Sequence, residues 1–334
     1  MRSFSIIIPF KTGKSYLLEC VHSVLAQTYP HYQLIILTDP TSNEDGAIDA
    51  IMALQHPAIE IIDSAEHLDI LGNWSRIKEV SKSEYMTILG YDDVLYPQFL
   101  ATIDDLIETH PTASLYHTYF DYINKDGEQL YPCKPLPEKL TGPAYLKMSL
   151  QDQISVMATG YVFKTTHYIQ VGGIGTQYPN LIYADLQLWI DLAQIGYMAT
   201  SSAKTFAFRI HASTTKISKD KVLLAALMVF LDYLKSLSKK DTAYQEAVHQ
   251  YTGTFLEKTT KSIAHRLLRT PTKYRQGLRI QDMVQALRIQ AKELGVDYHP
   301  EKIKSFAMAQ VIENSAVLSK LFLLFKSIYK KPIY

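Results

Sequence analysis

Apolar positions along the first 110 residues switch between two periods. Residues 4–9 (FSIIIP) form a short, β-branched run that Pro9 stops, the pattern of a buried strand. Residues 15–27 then place Leu17, Leu18, Val21, Val24 and Leu25 at helical spacing, with Ser15 as an N-cap candidate. The alternation repeats, with strands over 32–39, 58–63 and 85–90 and helices over 46–55, 73–82 and 96–110, the last opened by Pro97. Four strand–helix pairs in this order predict a parallel, right-handed, doubly wound α/β sheet. Ligands in such sheets lie beyond the carboxyl ends of the strands, so chemistry is expected within 9–14, 38–45, 63–72 and 90–96.

The pattern then changes. Residues 125–143 hold four prolines and Asp126-Gly127, which suggests a turn and a long loop. Residues 160–174 read as a strand, a short helix and a Gly-Gly turn, and 184–196 as an amphipathic helix stopped by Gly196. From about 218 the chain reads as helical throughout, over 221–238, 241–266, 279–294 and 301–329. The expected division is an α/β domain over 1–217 and a helical region over 218–334.

Charge sharpens that division. The formal charge of +1 over 334 residues hides a segment, 251–334, with fifteen Lys and Arg against six Asp and Glu. An acidic body thus carries a basic tail. The last predicted helix adds Phe306, Val311, Val317, Leu318, Leu321, Phe322, Leu324 and Phe325 to Lys326, Lys330 and Lys331. With Lys258, Lys261, Arg266, Arg269, Lys273, Arg275 and Arg279, this composition suits a helix pack facing anionic headgroups. A helical bundle with ordinary basic solvent faces, or a homodimer interface, accounts for it as well. No recognition module for nucleic acid accompanies the basic residues. Cys20 and Cys133 give no disulfide framework or metal spacing and fit a reducing cytoplasmic compartment. The N-terminus runs straight into a strand, so no signal peptide is expected, and no apolar stretch of about 18 residues marks a membrane span.

Gly13-Lys14-Ser15 ends like a phosphate-binding P-loop. That loop needs glycine five residues before the Gly-Lys pair, where this chain has Ile8 followed by Pro9, which lacks an N–H. A turn and helix start explain the triplet better. The acids at the predicted strand ends are more informative. Asp92 and Asp93 close the fourth strand ahead of a Pro-initiated helix, where paired carboxylates suit a hydrated divalent cation that binds phosphate oxygens. A helix dipole favouring acids is the alternative. Asp39 closes the second strand, either to accept from a nucleobase or ribose or to make an Asx-turn with Pro40 and Thr41.

Residues 5–46, with Ser23-Val24-Leu25-Ala26-Gln27-Thr28-Tyr29 at their centre, resemble the opening of the inverting family-2 glycosyltransferases of GT-A fold. Residues 72–100 (GNWSRIKEVSKSEYMTILGYDDVLYPQFL) resemble the stretch leading into that family's Asp-x-Asp signature. Residues 160–174 and 183–196 resemble its acceptor-side segment and base-bearing helix, and 208–215 (FRIHASTT) its closing Arg-x-His segment. The chain departs from the family at Pro40, Gly90 and Ala184, each standing where an acid is usual. The resemblance spans roughly 3–215. It implies a GT-A (Rossmann-like, doubly wound, mixed) sheet with an all-helical C-terminal extension. It also implies inverting transfer of a sugar from a nucleotide diphosphate, UDP foremost, to a glycan or lipid-linked glycan hydroxyl.

By that resemblance Asp185 is the catalytic base, with a capping or first-turn acid as the alternative; Trp189, one turn on and on the same face, either stacks on the acceptor sugar or packs in the core. Asp93 is the first choice to hold a divalent cation, Mn2+ or Mg2+, and Asp92 the ribose or second metal contact, or the two exchange roles; His211 approaches the metal or the diphosphate, or is structural. Pro9 and Phe10 wall the base and Asp39 hydrogen-bonds it. Lys11 and Arg76 are available to the phosphates, and Asn73 contacts the donor or caps a helix. The implied enzyme is a hexosyl- or N-acetylhexosaminyltransferase of surface polysaccharide biosynthesis, cytoplasmic or peripheral on the inner membrane face. A GT-A-fold scaffold without catalysis and a P-loop-like hydrolase are the competing readings.

Overall fold

A computed structural model describes residues 1–211 and 218–328. The expected boundary at 217/218, the end of the FRIHASTT segment, Lys330 and Lys331 fall at or outside the described residues.

The chain forms two compact units. The first comprises Met1–Tyr145, Ile154–Thr176 and Ala184–His211. Its sheet starts with β1 (Phe4–Pro9), β2 (Tyr32–Thr38), β3 (Ile59–Asp63) and β4 (Tyr85–Ile88), parallel and ordered β3-β2-β1-β4. Ile6, Ile7 and Ile8 of β1 are fully buried, each stabilising by roughly 1.5–3 kcal/mol relative to exposure. Helix α1 (Lys14–Leu25) buries the stripe Leu17, Val21 and Val24. The helix expected over 73–82 is instead two short ones, α3 (Ile70–Ser75) and α4 (Ile77–Val80), following α2 (Ala47–Met52). Asp69 caps α3 by accepting from the Gly72 N–H at 2.7 Å, so Asn73 lies inside a helix and not at its start.

Beyond β4 the sheet turns mixed. The strands are β5 (Val94–Leu95), β6 (Leu115–Ile123), β7 (Gln129–Pro132), β8 (Lys139–Leu140), β9 (Tyr161–Lys164) and β10 (Met198–Arg209). β9 lies antiparallel between β4 and β6, β6 pairs parallel with β10, and β5 closes the edge antiparallel to β10. Helices α5 (Phe99–Thr109), α6 (Gly142–Leu150), α7 (Thr165–Gln170) and α8 (Ala184–Ile195) join these strands. The antiparallel insertion brings β5 to β10, and hence residues 92–95 to residues 206–209.

The second unit gathers Leu146–Gln153, Gln177–Tyr183 and the chain from Ala212 onward, so it is not one contiguous piece. Its two early segments are held by contacts with later helices. The Lys258 ammonium donates to the Gln151 carbonyl at 3.1 Å, Asn180 donates to the Ser218 hydroxyl at 3.0 Å, and Tyr183 stacks on Phe230. The helices are α9 (Asp220–Leu237), α10 (Thr242–Arg269), α11 (Ile280–Leu294), α12 (Lys304–Asn314) and α13 (Ala316–Ile328). The single helix expected over 301–329 breaks at Ser315, whose extended backbone ends α12 and whose hydroxyl accepts from the Leu318 N–H at 3.3 Å. No single described helix is long and apolar enough to cross a membrane.

Candidate active site

The Gly-Lys-Ser turn is occupied by protein. The Asp45 carboxylate accepts from the backbone N–H groups of Gly13 at 3.1 Å and Lys14 at 2.8 Å, the place a phosphate takes in a P-loop. Gly13, with φ of 120°, precedes α1, so Ser15 is a helical residue and not the cap.

Most residues expected at the nucleotide brace the strand ends instead. Pro9 and Phe10 are buried, and Phe10 meets Tyr91 edge to face, so neither presents a wall to a base. Asn73 is buried and donates to the carbonyls of Phe10 and Leu37, both at 3.2 Å, tying β1 to β2. Arg76 donates to the Thr38 and Ile62 carbonyls at 2.8 Å each, tying β2 to β3. Its guanidinium is engaged on main-chain oxygens, not held ready for phosphate. Asp39 is buried in an Asx-turn, accepting from the Thr41 N–H and hydroxyl and from the Leu68 N–H, with Lys11 as its ion-pair partner. Burial raises its carboxyl, but Lys11, Thr41 and Leu68 outweigh that and hold it well below the ordinary range. Lys11, about half exposed, also donates to the Leu68 carbonyl at 3.2 Å. A carboxylate with this many donors has little left to offer a base.

The two acids after β4 part company. Asp93 is buried and turned inward, where Oδ2 accepts from the Thr159 hydroxyl and Oδ1 from the Arg209 N–H at 2.8 Å. Burial, and then the Asp92 charge, push its carboxyl well above the ordinary range against the pull of those two donors. Asp93 is therefore a brace and not the leading metal ligand. Asp92 faces outward, with its side chain 21% exposed, and its Oδ2 contacts Nε2 of His211, itself 23% exposed. Gly90 completes the corner. A Cβ there would lie 2.7 Å from Asp93 Oδ2 and 3.0 Å from Asp92 Oδ1, so the missing first acid leaves room that both carboxylates use.

Several residues that sequence reasoning did not single out build this corner. Arg209 is buried and donates from Nε to the Asp92 carbonyl at 2.7 Å, pairs with Glu19 at 2.6 Å and lies over the Tyr16 ring. Thr159 accepts from the Gly90 N–H at 2.9 Å while holding Asp93. The only sequence signal for Arg209 was its place in the Arg-x-His segment.

The loop that supplies Thr159 also reaches α8. Trp189 is fully buried, stacked on Tyr161 with centroids 4.3 Å apart, and its indole N–H donates to the Met157 carbonyl at 3.0 Å. It has no face open to a sugar, which corrects its acceptor role to one of positioning α8. Asp185, in the first turn of α8, is half-buried and accepts from the Leu186 N–H at 2.8 Å. Burial pushes its carboxyl up to about 6 against that hydrogen bond. Burial raises the phenols of Tyr145 and Tyr161, which hydrogen-bond each other at 3.0 Å, and the Asp185 charge adds a smaller push in the same direction. The result is a carboxylate whose proton affinity suits general-base work near neutral pH.

A scan of family models matches residues 5–163 to "Glycosyl transferase family 2". The chain carries a glycosyl transferase family 2 domain. Glycosyltransferase GlyG of Streptococcus pneumoniae serotype 4 is 27% identical over 128 residues, 37% of this chain and 41% of that protein. The chain thus spans about two fifths of that relative's length. TuaG of Bacillus subtilis (strain 168), whose name assigns it to teichuronic acid biosynthesis, is 25% identical over 197 residues, 58% of this chain and 73% of TuaG. Among solved structures, S. aureus TarS 1-349 in complex with UDP-GlcNAc superposes with a TM-score of 0.61 at 10% identity, covering 93% of this chain and 91% of that one. The fold is GT-A, with a helical C-terminal region.

Within the family 2 domain, the motif at 23–29 has a definite mechanical task. Ser23 Oγ accepts from the Leu95 N–H at 3.1 Å, Gln27 donates to the Tyr96 carbonyl at 2.8 Å and accepts from Leu100 N–H at 3.0 Å, and Thr28 N–H donates to the Pro97 carbonyl at 2.9 Å. All four partners lie within residues 95–100, shortly after Asp92-Asp93. The motif clamps the segment that carries the acids.

The fold family implies a divalent cation. Among the described residues no three His, Cys, Asp or Glu side chains cluster as a metal site. With Asp93 engaged inward, Asp92 and His211 remain as outward-facing donors that already touch. One carboxylate and one imidazole suit a cation that takes the rest of its shell from diphosphate oxygens and water.

Proposed function

We propose that this chain is an inverting glycosyltransferase that moves a hexosyl or N-acetylhexosaminyl group from a UDP-sugar to a hydroxyl of a glycan or lipid-linked glycan. The observation that carries the reading is Asp185, a half-buried carboxylate raised to about 6 at the start of α8. Support for the donor class comes from the shared fold with TarS, solved with UDP-GlcNAc. Support for surface-polysaccharide synthesis comes from the likeness to TuaG.

Asp185 takes the proton from the acceptor hydroxyl as its oxygen attacks the anomeric carbon from the face opposite the diphosphate, giving inversion. Asp92 and His211 would hold a divalent cation, which when bound neutralises charge on the departing diphosphate. Asp93, Thr159 and Arg209 fix the direction of Asp92. Trp189 and Tyr161 fix the start of α8. A lipid-linked acceptor would place the reaction at a membrane surface.

The test is a donor screen followed by turnover. UDP-, GDP- and dTDP-sugars are compared by thermal shift with and without Mn2+, and the stabilising donor is used to measure sugar transfer to purified lipid-linked and polysaccharide acceptors. Asp185→Asn is expected to keep the donor-induced shift and lose transfer. Transfer by Asp185→Asn at the parent rate would remove the proposed base, and no shift with any nucleotide sugar would favour the scaffold reading.

A further inference from the structure

The C-terminal helices carry an apolar face with a definite charge character. In α13, Val317, Leu321 and Ile328 are 67%, 54% and 75% exposed, with Leu318 beside them, at spacings that lie along one side of a helix. Met308 and Val311 of α12 are exposed as well. Isolated exposed apolar residues are ordinary, but a helical stripe of them marks an interaction surface.

Charge narrows the partner. From Asn314 to Ile328 the only charged residues are Lys320 and Lys326, and Lys304 opens α12. The one acid of α12, Glu313, is turned inward, accepting from Arg275 Nη1 and from the Ile280 N–H, both at 2.8 Å. The surface is therefore apolar and cationic. A second copy of the same face offers lysines and no acid to meet them. An anionic lipid surface offers both hydrocarbon and negative charge.

Length and shape indicate how such a surface is met. α12 and α13 contain 11 and 13 residues and meet at a bend of 114°, whereas a span needs roughly 20 residues in line. Many basic residues of the tail are engaged elsewhere. Arg266 pairs with Asp220, Arg275 is buried against Glu313, and Arg279 pairs with Asp282. These pairings draw Arg266 and Arg275 away from the headgroup-facing role expected of them, and α12 and α13 keep Lys304, Lys320 and Lys326 as their own cations.

We propose that α12 and α13 dock the protein onto an anionic lipid bilayer, with Val317, Leu321 and Ile328 entering the interface and Lys320 and Lys326 at the headgroups. This deepens the membrane setting of the proposed function, but it is read by binding alone, so its failure is separable from failure of the transfer reading.

The experiment is co-sedimentation of the full chain with phosphatidylcholine vesicles, with and without phosphatidylglycerol. Binding is expected only with phosphatidylglycerol and is expected to weaken with salt. Leu321→Glu should lower binding at least about tenfold, and Lys320→Ala and Lys326→Ala about fivefold each, with unchanged melting temperatures. The paired change Val317→Ser and Ile328→Ser serves as a second probe should Leu321→Glu alter the fold. Equal binding by these variants, or equal binding to neutral vesicles, overturns the proposal. So does a dimer in light scattering that Leu321→Glu dissolves while vesicles capture nothing, because the face then belongs to a second copy.

Discussion

Asp92 and His211, 119 residues apart in sequence, meet through Oδ2 and Nε2, while Asp93 beside them points the other way into the Thr159 hydroxyl. Two adjacent carboxylates therefore do different work. Asp92→Asn is expected to lower transfer while leaving stability within about 0.5 kcal/mol. Asp93→Ala should cost about 2–4 kcal/mol, because it leaves the Arg209 N–H and Thr159 hydroxyl without their buried acceptor. Urea unfolding beside turnover separates the two, and equal stability losses would contradict the division.

For Asp185 the sign of the shift matters. Its folded value, about 6, lies above the ordinary 3.8, so the folded state disfavours the ionised form at neutral pH. The base must be ionised to accept a proton, so kcat/KM should fall about tenfold per pH unit below pH 6. Asp185→Asn removes the cost of ionisation. It should raise the melting temperature while cutting transfer by about 10²–10⁴-fold, and a lowered melting temperature would argue against a functional acid held at some cost.

Gly90 is the position where the family's first acid is missing. Restoring it with Gly90→Asp would force a Cβ to within 2.7 Å of Asp93 Oδ2 and 3.2 Å of Thr159 Oγ1. The variant is expected to lose about 1–3 kcal/mol and to gain no activity, with or without added Mn2+. Activity above the parent's would show that the corner can reopen.

His117 lies fully buried against Tyr161, Phe206 and Phe120, and among the described residues neither ring nitrogen has a hydrogen-bond partner. Burial lowers its value from 6.5 to about 3, so the folded protein keeps it neutral. The unfolded chain binds a proton from about pH 6.5 downward and the folded chain only near 3. Stability is thus present above 6.5 and lost through that window, at about 1.4 kcal/mol per pH unit. His117→Phe should flatten the slope and raise the melting temperature, as measured by thermal melts between about pH 4 and pH 7.

The parallel half of the sheet was legible because a buried strand and an amphipathic helix write different periods into the sequence. The antiparallel half was less so. β5 has two residues, and β9 reaches its place between β4 and β6 through pairings that local pattern does not encode. The strand-end acids were legible as candidates, since the topology sends every strand end to one edge. Their orientation was not, as Asp39 and Asp93 show, nor was the use of Asn73 and Arg76 on the neighbouring strand carbonyls. A polar residue at a strand end serves either a ligand or the orphaned carbonyls beside it, and the sequence is the same in both cases.

Sequence by itself determined the alternation of strands and helices, the edge at which chemistry lies, the acids that stand there and the family resemblance. These follow from periodicity and from residue identity, which are local. Only the tertiary structure decided that Asp45 fills the Gly-Lys turn, that Asp93 faces Thr159 while Asp92 faces His211, and that Trp189 is buried against Tyr161. Each of those outcomes depends on which distant donor or ring arrives at a given side chain. That arrival is set by long-range pairing, above all of β9 and β10, and no local pattern carries it.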